Sequence, residues 1–268
     1  MVNQTPEAYL DVGIAMALWL TASPLFALDL ADYQFVDLGY PLNSEAIYWL
    51  TQPSGFEKHE MAYGETEAGF FYSAFSVCTP EHVGTHLDAL LHFAAECQAT
   101  DQIALARLIA PGVVIDVTKQ TGADLNYRLE PADVLAFEAE HGFIEPGTIV
   151  LLRTGWSSYW PDRKAYLGDD TPGDASKLQF PSYGPEAARL LVKERKVALL
   201  GVDTASIDFG KSDDFEVHRI AAAGNVGGLE NLMALEQLPP AGFVIIALPM
   251  KIEGGSGGPG RVVALVPR

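Results

Sequence analysis

The chain contains 268 residues, of which 49% are hydrophobic and 19% are charged. This length and composition exclude a disordered chain and favour one large domain with a substantial core. Lys and Arg number 17 against 35 Asp and Glu, and the resulting net charge of -18 repels phosphate backbones and anionic lipid. We therefore expect no nucleic-acid partner.

The N-terminal 27 residues form a segment of their own character. The apolar run at 13–27 resembles the core and small-residue cleavage site of a secretory signal, but no Lys or Arg precedes it. Pro24 interrupts the run, which is too short for a membrane span, so we expect no membrane insertion. We treat residues 1–27 as a possible signal and residues 28–268 as the folded domain. A cleaved signal would place the protein in the periplasm or outside the cell, and otherwise it would be cytoplasmic.

The elements that follow alternate between strands and helices. Tyr33–Leu38 and Phe70–Val77 are predicted strands, and five apolar β-branched runs typical of strands buried on both faces follow at 113–117, 148–152, 197–202, 243–248 and 262–266. Helices are predicted at Pro131–His141, which stops at Gly142, and at Pro185–Lys196. This order predicts a single-domain α/β fold. The sheet should be mixed, because only a short Gly-rich loop joins the last two strands.

Two further features bear on the architecture. Residues 158–183 are rich in Pro, Gly, Asp and aromatic residues, which predicts a long surface excursion or lid. Cys78 and Cys97 could form one disulfide or remain thiols. We expect thiols, because a domain of this size needs no covalent cross-link.

The most informative stretch is Glu81–Phe93, which holds three of the six histidines and an aspartate: His82, His86, Asp88 and His92. Neutral imidazoles and carboxylates are preferred ligands of zinc, manganese and iron. A lone histidine is more often a core or capping residue, but three with an aspartate favour a divalent metal site.

The spacing of these residues constrains the backbone. On a helix Asp88 would point away from His82 and His86, and on a straight strand the two histidines would lie about 13 Å apart. We therefore predict a bend at Gly84, followed by an extended segment through Asp88.

Remote ligands are sought where a later strand ends in a polar loop. The segment after Val202 leads to His218 and Glu230, which could complete a metal shell. Taken alone, His218 is better explained as a helix-terminal residue and Glu230 as an ordinary helix-start carboxylate.

A serine nucleophile is a further possibility. Gly254–Gly258 fits the Gly-x-Ser-x-Gly pattern, but that motif needs a following helix and a later histidine, and the last histidine is His218. The run also lacks the Lys-Ser/Thr of a phosphate-binding loop. We interpret it as a flexible hairpin loop.

The histidine stretch resembles the His-x-Gly-Thr-His-x-Asp-x-x-x-His signature of the cyclase-type metal-dependent hydrolases, which include kynurenine formamidases and isatin hydrolases. The resemblance runs from about Tyr33 to the C-terminus and implies a swivelling β/β/α fold and a homodimer. The family has proline two residues after the metal aspartate, where this chain has Leu90. The long segment at 158–183 resembles the isatin hydrolase branch more than the compact formamidases.

This resemblance assigns expected roles to single residues. It implies that His82, His86 and Asp88 bind metal and that His92 is the general acid/base. In the family, a distant His and an acid twelve residues apart complete the metal shell, and His218 and Glu230 match that spacing (230 − 218 = 12). Trp49 resembles the substrate-contacting tryptophan.

The resulting prediction is a Mn²⁺- or Zn²⁺-dependent hydrolase that opens a cyclic amide, with isatin to isatinate as the leading reaction on a small aromatic amide substrate. One tightly bound ion is favoured over two. The alternatives are an arylformamidase acting on N-formylkynurenine and, from a different class, a non-catalytic metal-containing binding protein.

Overall fold

The computed structural model describes Met1 and residues 29–268. The predicted signal-like segment, apart from Met1, lies outside the described residues. The chain separates into two units, Met1–Leu30 and Ala31–Arg268, and the second contains every strand named below. Within the described part of the chain, no helix combines the length and apolar character needed to cross a membrane.

The strands of the described residues are, in chain order, β1 (Tyr33–Asp37), β2 (Glu57–Glu65), β3 (Phe71–Cys78), β4 (His86–Asp88), β5 (Ile109–Asp116), β6 (Arg128–Leu129), β7 (Ile149–Arg153), β8 (Ser182–Tyr183), β9 (Leu199–Val202), β10 (Gly227–Glu230), β11 (Phe243–Pro249) and β12 (Gly257–Pro267). The α-helices are α1 (Leu105–Leu108), α2 (Thr118–Thr121), α3 (Pro131–His141), α4 (Arg163–Leu167), α5 (Pro185–Arg189) and α6 (Glu216–Ala223). Short 3₁₀ turns occupy Leu30–Asp32, Leu90–His92, Thr100–Gln102, Trp156–Tyr159 and Leu235–Gln237.

Seven of these strands form a closed ring. Their order is β12-β11-β5-β7-β9-β10-β4, and β4 pairs again with β12. The strands β5, β7, β9 and β10 run parallel to their neighbours in that series, whereas the remaining ring pairings are antiparallel. β1 lies outside the ring and pairs antiparallel with the C-terminal part of β12. The predicted mixed sheet of a single α/β domain is confirmed.

Apolar residues pack on both sides of the ring. One cluster takes residues from all seven ring strands, for example Leu87 from β4, Leu151 from β7 and Ile245 from β11. A second cluster lies between the parallel strands and α3, α5 and α6. Consequently β7 and β9 are buried on both faces, as predicted, but β11 alternates between buried and partly exposed residues. Its buried residues Phe243, Ile245 and Ala247 belong to the first cluster.

The two predicted helices are present. α3 has the predicted bounds, with Pro131 in its first turn and Gly142 following at φ +97°. The second begins as α5 and continues as a π-helical segment, Leu190–Arg195, before Lys196 ends it in the left-handed region at φ +55°. Both boundaries follow the local signals expected for helix ends.

Half of the residues in the segment at 158–183 are exposed, which agrees with the predicted surface excursion, but several of its large side chains are buried. Tyr166, Leu167, Leu178 and Phe180 are at most 1% exposed and pack with Ile47, Leu50 and Trp156 in a third apolar cluster. Burial of these large side chains outweighs the polar residues around them. These side chains therefore anchor the segment in the domain core beside the Trp49 loop.

The cysteines are both free thiols, as expected. Cys78 is exposed at the end of β3, whereas Cys97 is half-buried.

Candidate metal centre

The backbone around Gly84 has the predicted bend. Gly84 adopts φ +54°, and the next residues extend as β4, which ends at Asp88. Because β4 pairs with β10 on one side and β12 on the other, Asp88 lies opposite Gly228 and Gly257. Glycine on both neighbouring strands leaves room around the carboxylate.

Asp88 lies at the centre of three imidazoles. Its Oδ1 atom is 2.6 Å from Nδ1 of His82 and 3.1 Å from Nε2 of His86, and its Oδ2 atom is 3.0 Å from Nε2 of His218. Glu230 completes the cluster, with its two oxygens 3.4 Å from His86 Nε2 and 3.3 Å from His218 Nε2. All five residues predicted to bind metal are therefore brought together.

These atoms form two groups that share Asp88. His82, His86 and Asp88 make one group, and Asp88, His218 and Glu230 make the other, with the donor atoms of each group within 4.8 Å of one another. Four of the five residues are buried, and His82 is partly exposed.

Hydrogen bonds outside the cluster fix two of the imidazoles. Nδ1 of His86 lies 2.8 Å from the carbonyl oxygen of Gly84, and Nδ1 of His218 lies 2.7 Å from Oδ2 of Asp208. An N–H donated outward at Nδ1 leaves the Nε2 lone pair directed toward Asp88 and Glu230.

The donor set fits a divalent metal ion. Nε2 of His86 is buried and has no hydrogen-bond partner among the described residues. Burial lowers the pKa of His86, but the negative charge of Asp88 and the nearby carboxylate oxygens of Asp88 and Glu230 outweigh burial and raise that pKa to about 10. Burial raises the pKa of Asp88, but the charges of His82 and His86 hold it well below its usual value. Two buried carboxylates thus require positive charge, which a cation could supply.

His92 lies beside this cluster on the Leu90–His92 turn. Its ring stacks on that of His82 at a centroid distance of 4.0 Å. Leu90 is 2% exposed and begins the turn, so a buried leucine occupies the position of the family's proline. Burial lowers the pKa of His92 to about 4, which keeps the imidazole neutral at pH 7.

A cavity of about 240 Å³ opens onto the cluster. Its lining includes the metal-site residues, His92 and an aromatic wall formed by Trp49, Phe93 and Phe215. The Phe215 ring is 6.1 Å from Trp49 and 5.3 Å from Phe93. No Lys or Arg of the described residues lines this cavity.

Sequence reasoning gave no role to three residues of this site. Asp208 ends the polar loop after β9, where its position offered a weak signal. Phe93 adjoins His92 at the end of the histidine stretch, and the sequence motif assigns it no separate role. Phe215 precedes α6 with φ +50°, and no sequence pattern marked it.

The sequence profile of the family described as "Putative cyclase" matches residues 36–209. The isatin hydrolase of Roseibium aggregatum is 35% identical over 220 residues, which cover 79% of this chain and 81% of that protein. The chain belongs to the Cyclase family. This membership confirms the resemblance drawn from the histidine stretch.

Other Cyclase relatives include a second named activity. The kynurenine formamidase of Sphingopyxis alaskensis is 30% identical, over 85% of this chain and 95% of that protein. Among solved structures, an isatin hydrolase bound to the product analogue thioisatinate aligns with a TM-score of 0.81 at 31% identity, covering 89% of this chain and 94% of the other. The α/β fold of this chain is therefore that of Cyclase enzymes.

Proposed function

We propose that this Cyclase member is a metal-dependent hydrolase that opens isatin to isatinate. The observation that carries the proposal is the position of the buried Asp88-centred cluster at one side of an aromatic cavity whose described lining contains no Lys or Arg. Isatin is a flat, neutral aromatic lactam, which suits such a wall. The likeness to isatin hydrolases, in sequence and in structure, supports the same reaction.

We assign metal binding to His82, His86 and Asp88, with His218 and Glu230 as further ligands or their immediate partners. Mn²⁺ and Zn²⁺ are the ions that suit imidazole and carboxylate donors, and we propose one tightly bound ion per chain. A bound divalent ion supplies a Lewis acid that polarises a carbonyl and lowers the pKa of water.

We assign proton transfer to His92. Its neutral imidazole at pH 7 can accept a proton from the attacking water and return it to the ring nitrogen as the lactam C–N bond breaks. Water adds to the carbonyl carbon, so the product is a carboxylate with a free aromatic amine. Trp49, at the cavity wall, would stack on the flat ring.

The main alternative is hydrolysis of N-formylkynurenine, which the formamidase relatives support. That substrate carries a free α-carboxylate, and no Lys or Arg of the described cavity lining can pair with it. This absence favours isatin. Side-by-side turnover of the two compounds by the metal-loaded protein, repeated after chelation, tests the choice. Faster turnover of N-formylkynurenine, or full activity without metal, would contradict the proposal.

A homodimer is proposed from the β2–β3 hairpin. These strands pair only with each other among the described residues, and an isolated two-stranded hairpin is marginally stable in water. The hairpin exposes many large apolar side chains, which are Met61, Tyr63, Phe71, Tyr72, Phe75 and Val77. An exposed patch of this kind supports a protein interface.

Light scattering tests the homodimer and should give twice the chain mass. Phe71→Glu should lower the measured mass toward that of one chain, whereas Leu135→Glu, at an exposed position on α3, should leave it unchanged.

For the N-terminus, we propose that residues 28–268 form the hydrolase domain and that residues 1–27 are a separable signal-like segment. Mass spectrometry of protein from its native host tests this. Retention of the whole segment would exclude a cleaved signal.

A further inference from the structure

The glycine-rich run Gly254–Gly258 lies against the outer side of the metal centre. A Cβ atom added to Gly257 would lie 2.5 Å from Cε1 of His82, and one added to Gly255 would lie 2.8 Å from Oε1 of Glu81. Gly255, Gly257 and Gly258 are buried, and β12 begins within the run at Gly257. The run joins the antiparallel strands β11 and β12, as predicted for a hairpin loop, but it is packed against His82. Its glycines permit this close approach.

Ser256, in the middle of this run, links Glu81 to His82. Its hydroxyl donates to Oε2 of Glu81 at 2.5 Å, and its backbone N–H donates to the same oxygen at 2.9 Å. The Ser256 Oγ atom also lies 3.0 Å from Nε2 of His82. Because the hydroxyl proton is used toward Glu81, Oγ is left to accept a hydrogen bond from Nε2–H.

This arrangement selects one tautomer of His82. With the proton held on Nε2, the lone pair of Nδ1 points toward Asp88, whose Oδ1 lies 2.6 Å away. A metal ligand needs such a free lone pair. His82 would therefore bind through Nδ1, whereas His86 and His218 present Nε2 to the cluster.

Ser256, His82 and Asp88 also form a Ser-His-Asp chain, which is the arrangement that a nucleophilic serine would need. Two observations exclude this reading. Ser256 does not line the cavity, and its hydroxyl proton is donated to Glu81 and not to the imidazole. A nucleophile must reach the substrate and pass its proton to the histidine.

We propose that Glu81 and Ser256 are positioning residues that set the tautomer and orientation of His82 as a metal ligand. The proposal rests on the proposed function only in taking His82 as a ligand. Outer partners of metal-bound histidines typically change metal affinity by about 10- to 100-fold when they are removed.

The test measures metal affinity on metal-free protein, by competition with a chelator for Mn²⁺ and for Zn²⁺. Ser256→Ala should weaken binding by about 10- to 100-fold. Glu81→Gln keeps a carbonyl oxygen for both Ser256 donors and should retain more affinity than Glu81→Ala. At saturating metal, the turnover of Ser256→Ala should recover toward the wild-type rate.

Thr100→Val is the matched control. The Thr100 hydroxyl holds the same run from the other side, 2.9 Å from the Gly255 carbonyl and 3.2 Å from the Gly257 carbonyl, without touching His82. The metal affinity of Thr100→Val should stay close to the wild-type value. Equal losses in Thr100→Val and Ser256→Ala would show that general order of the run, and not the hydroxyl, matters, and the proposal would be overturned. A Ser256→Ala protein with normal affinity and no turnover would also overturn it, in favour of a nucleophile.

A second measurement needs no Ser256 variant. In zinc-loaded protein, ¹⁵N NMR of His82, assigned with His82→Gln, should show the proton on Nε2. A proton on Nδ1 would contradict the proposal. Both measurements report metal binding, so they hold whether or not isatin is turned over, and the two proposals can fail separately.

Discussion

One carboxylate oxygen of Asp208 accepts two hydrogen bonds from His218, one from the imidazole and one from the backbone N–H. This oxygen, Oδ2, is 2.7 Å from Nδ1 and 3.0 Å from the backbone nitrogen of His218. The other oxygen accepts from the backbone N–H of Val217 at 2.9 Å, so the carboxylate also satisfies the first turn of α6. One side chain therefore fixes both the helix and the ring that it presents to Asp88.

Asp208→Asn should weaken metal binding by about 10- to 100-fold, because an amide places an NH₂ group against one of these donors. Chelator competition measures the change. Ser212→Ala is the control, since its hydroxyl makes a long 3.4 Å contact to the other oxygen of the same carboxylate and accepts a hydrogen bond from the backbone N–H of Phe215 at 3.2 Å. Unchanged affinity in Asp208→Asn would mean that His218 is not a ligand.

His92→Asn should lower the turnover number by about 10² to 10⁴, because the variant has no group to accept the proton. The metal content should stay at the wild-type level. Steady-state kinetics and elemental analysis of the same sample check both. His141→Asn, on α3, should leave the rate unchanged. Undiminished turnover in His92→Asn would instead support a protein in which metal binds without this chemistry.

Trp49→Ala should reduce kcat/KM for isatin by about tenfold, which corresponds to about 1.4 kcal/mol of lost aromatic contact. Most of the effect should appear in KM. Trp160→Ala is a matched control, because Trp160 stacks on Tyr40 at 3.9 Å and does not line the cavity. Equal losses in both variants would point to the shared apolar cluster and not to substrate stacking.

Elemental analysis after gentle dialysis should give about one metal ion per chain, because three local donors and an open position satisfy one catalytic ion. Close to two ions would contradict this expectation. In that case Glu230→Gln should release one ion and retain the other, since Glu230 belongs only to the donor group with Asp88 and His218.

Asp203 should make folding stability depend on pH. Burial raises the pKa of Asp203 from 3.8 to about 6, although Thr154 and Gly155 donate hydrogen bonds to the carboxylate. The native state therefore holds the Asp203 proton more tightly than the unfolded state does. The resulting contribution to folding stability is fully present below pH 3.8 and is lost as pH rises through about 6.

The measurement is urea unfolding of metal-free wild type and Asp203→Asn between pH 4.5 and 7. Over this range the wild-type free energy of unfolding should fall relative to that of the variant by about 2 kcal/mol as pH rises. A constant difference across this range would show that the hydrogen bonds offset the cost of burying the charge.

The local sequence was sufficient for much of this description. The bend at Gly84, the helix from Pro131 to His141 and the strand runs were predictable, because each depends on backbone preferences and side-chain periodicity within a few residues. The histidine stretch also predicted a metal site, since its ligands are close in the chain. The burial of Tyr166 and Phe180 within the segment at 158–183 was not predictable, because composition does not show which aromatic residues find a buried partner.

What only the tertiary structure decided is the set of remote partners. Glu230 lies opposite His86 because β10 pairs with β4, and Ser256 reaches His82 because β12 closes the ring on the other side of β4. Asp208 meets His218 through the loop that precedes α6. The contacts of Glu230 and Ser256 depend on the register of strands that are more than a hundred residues apart, and a local pattern carries no information about register between distant strands.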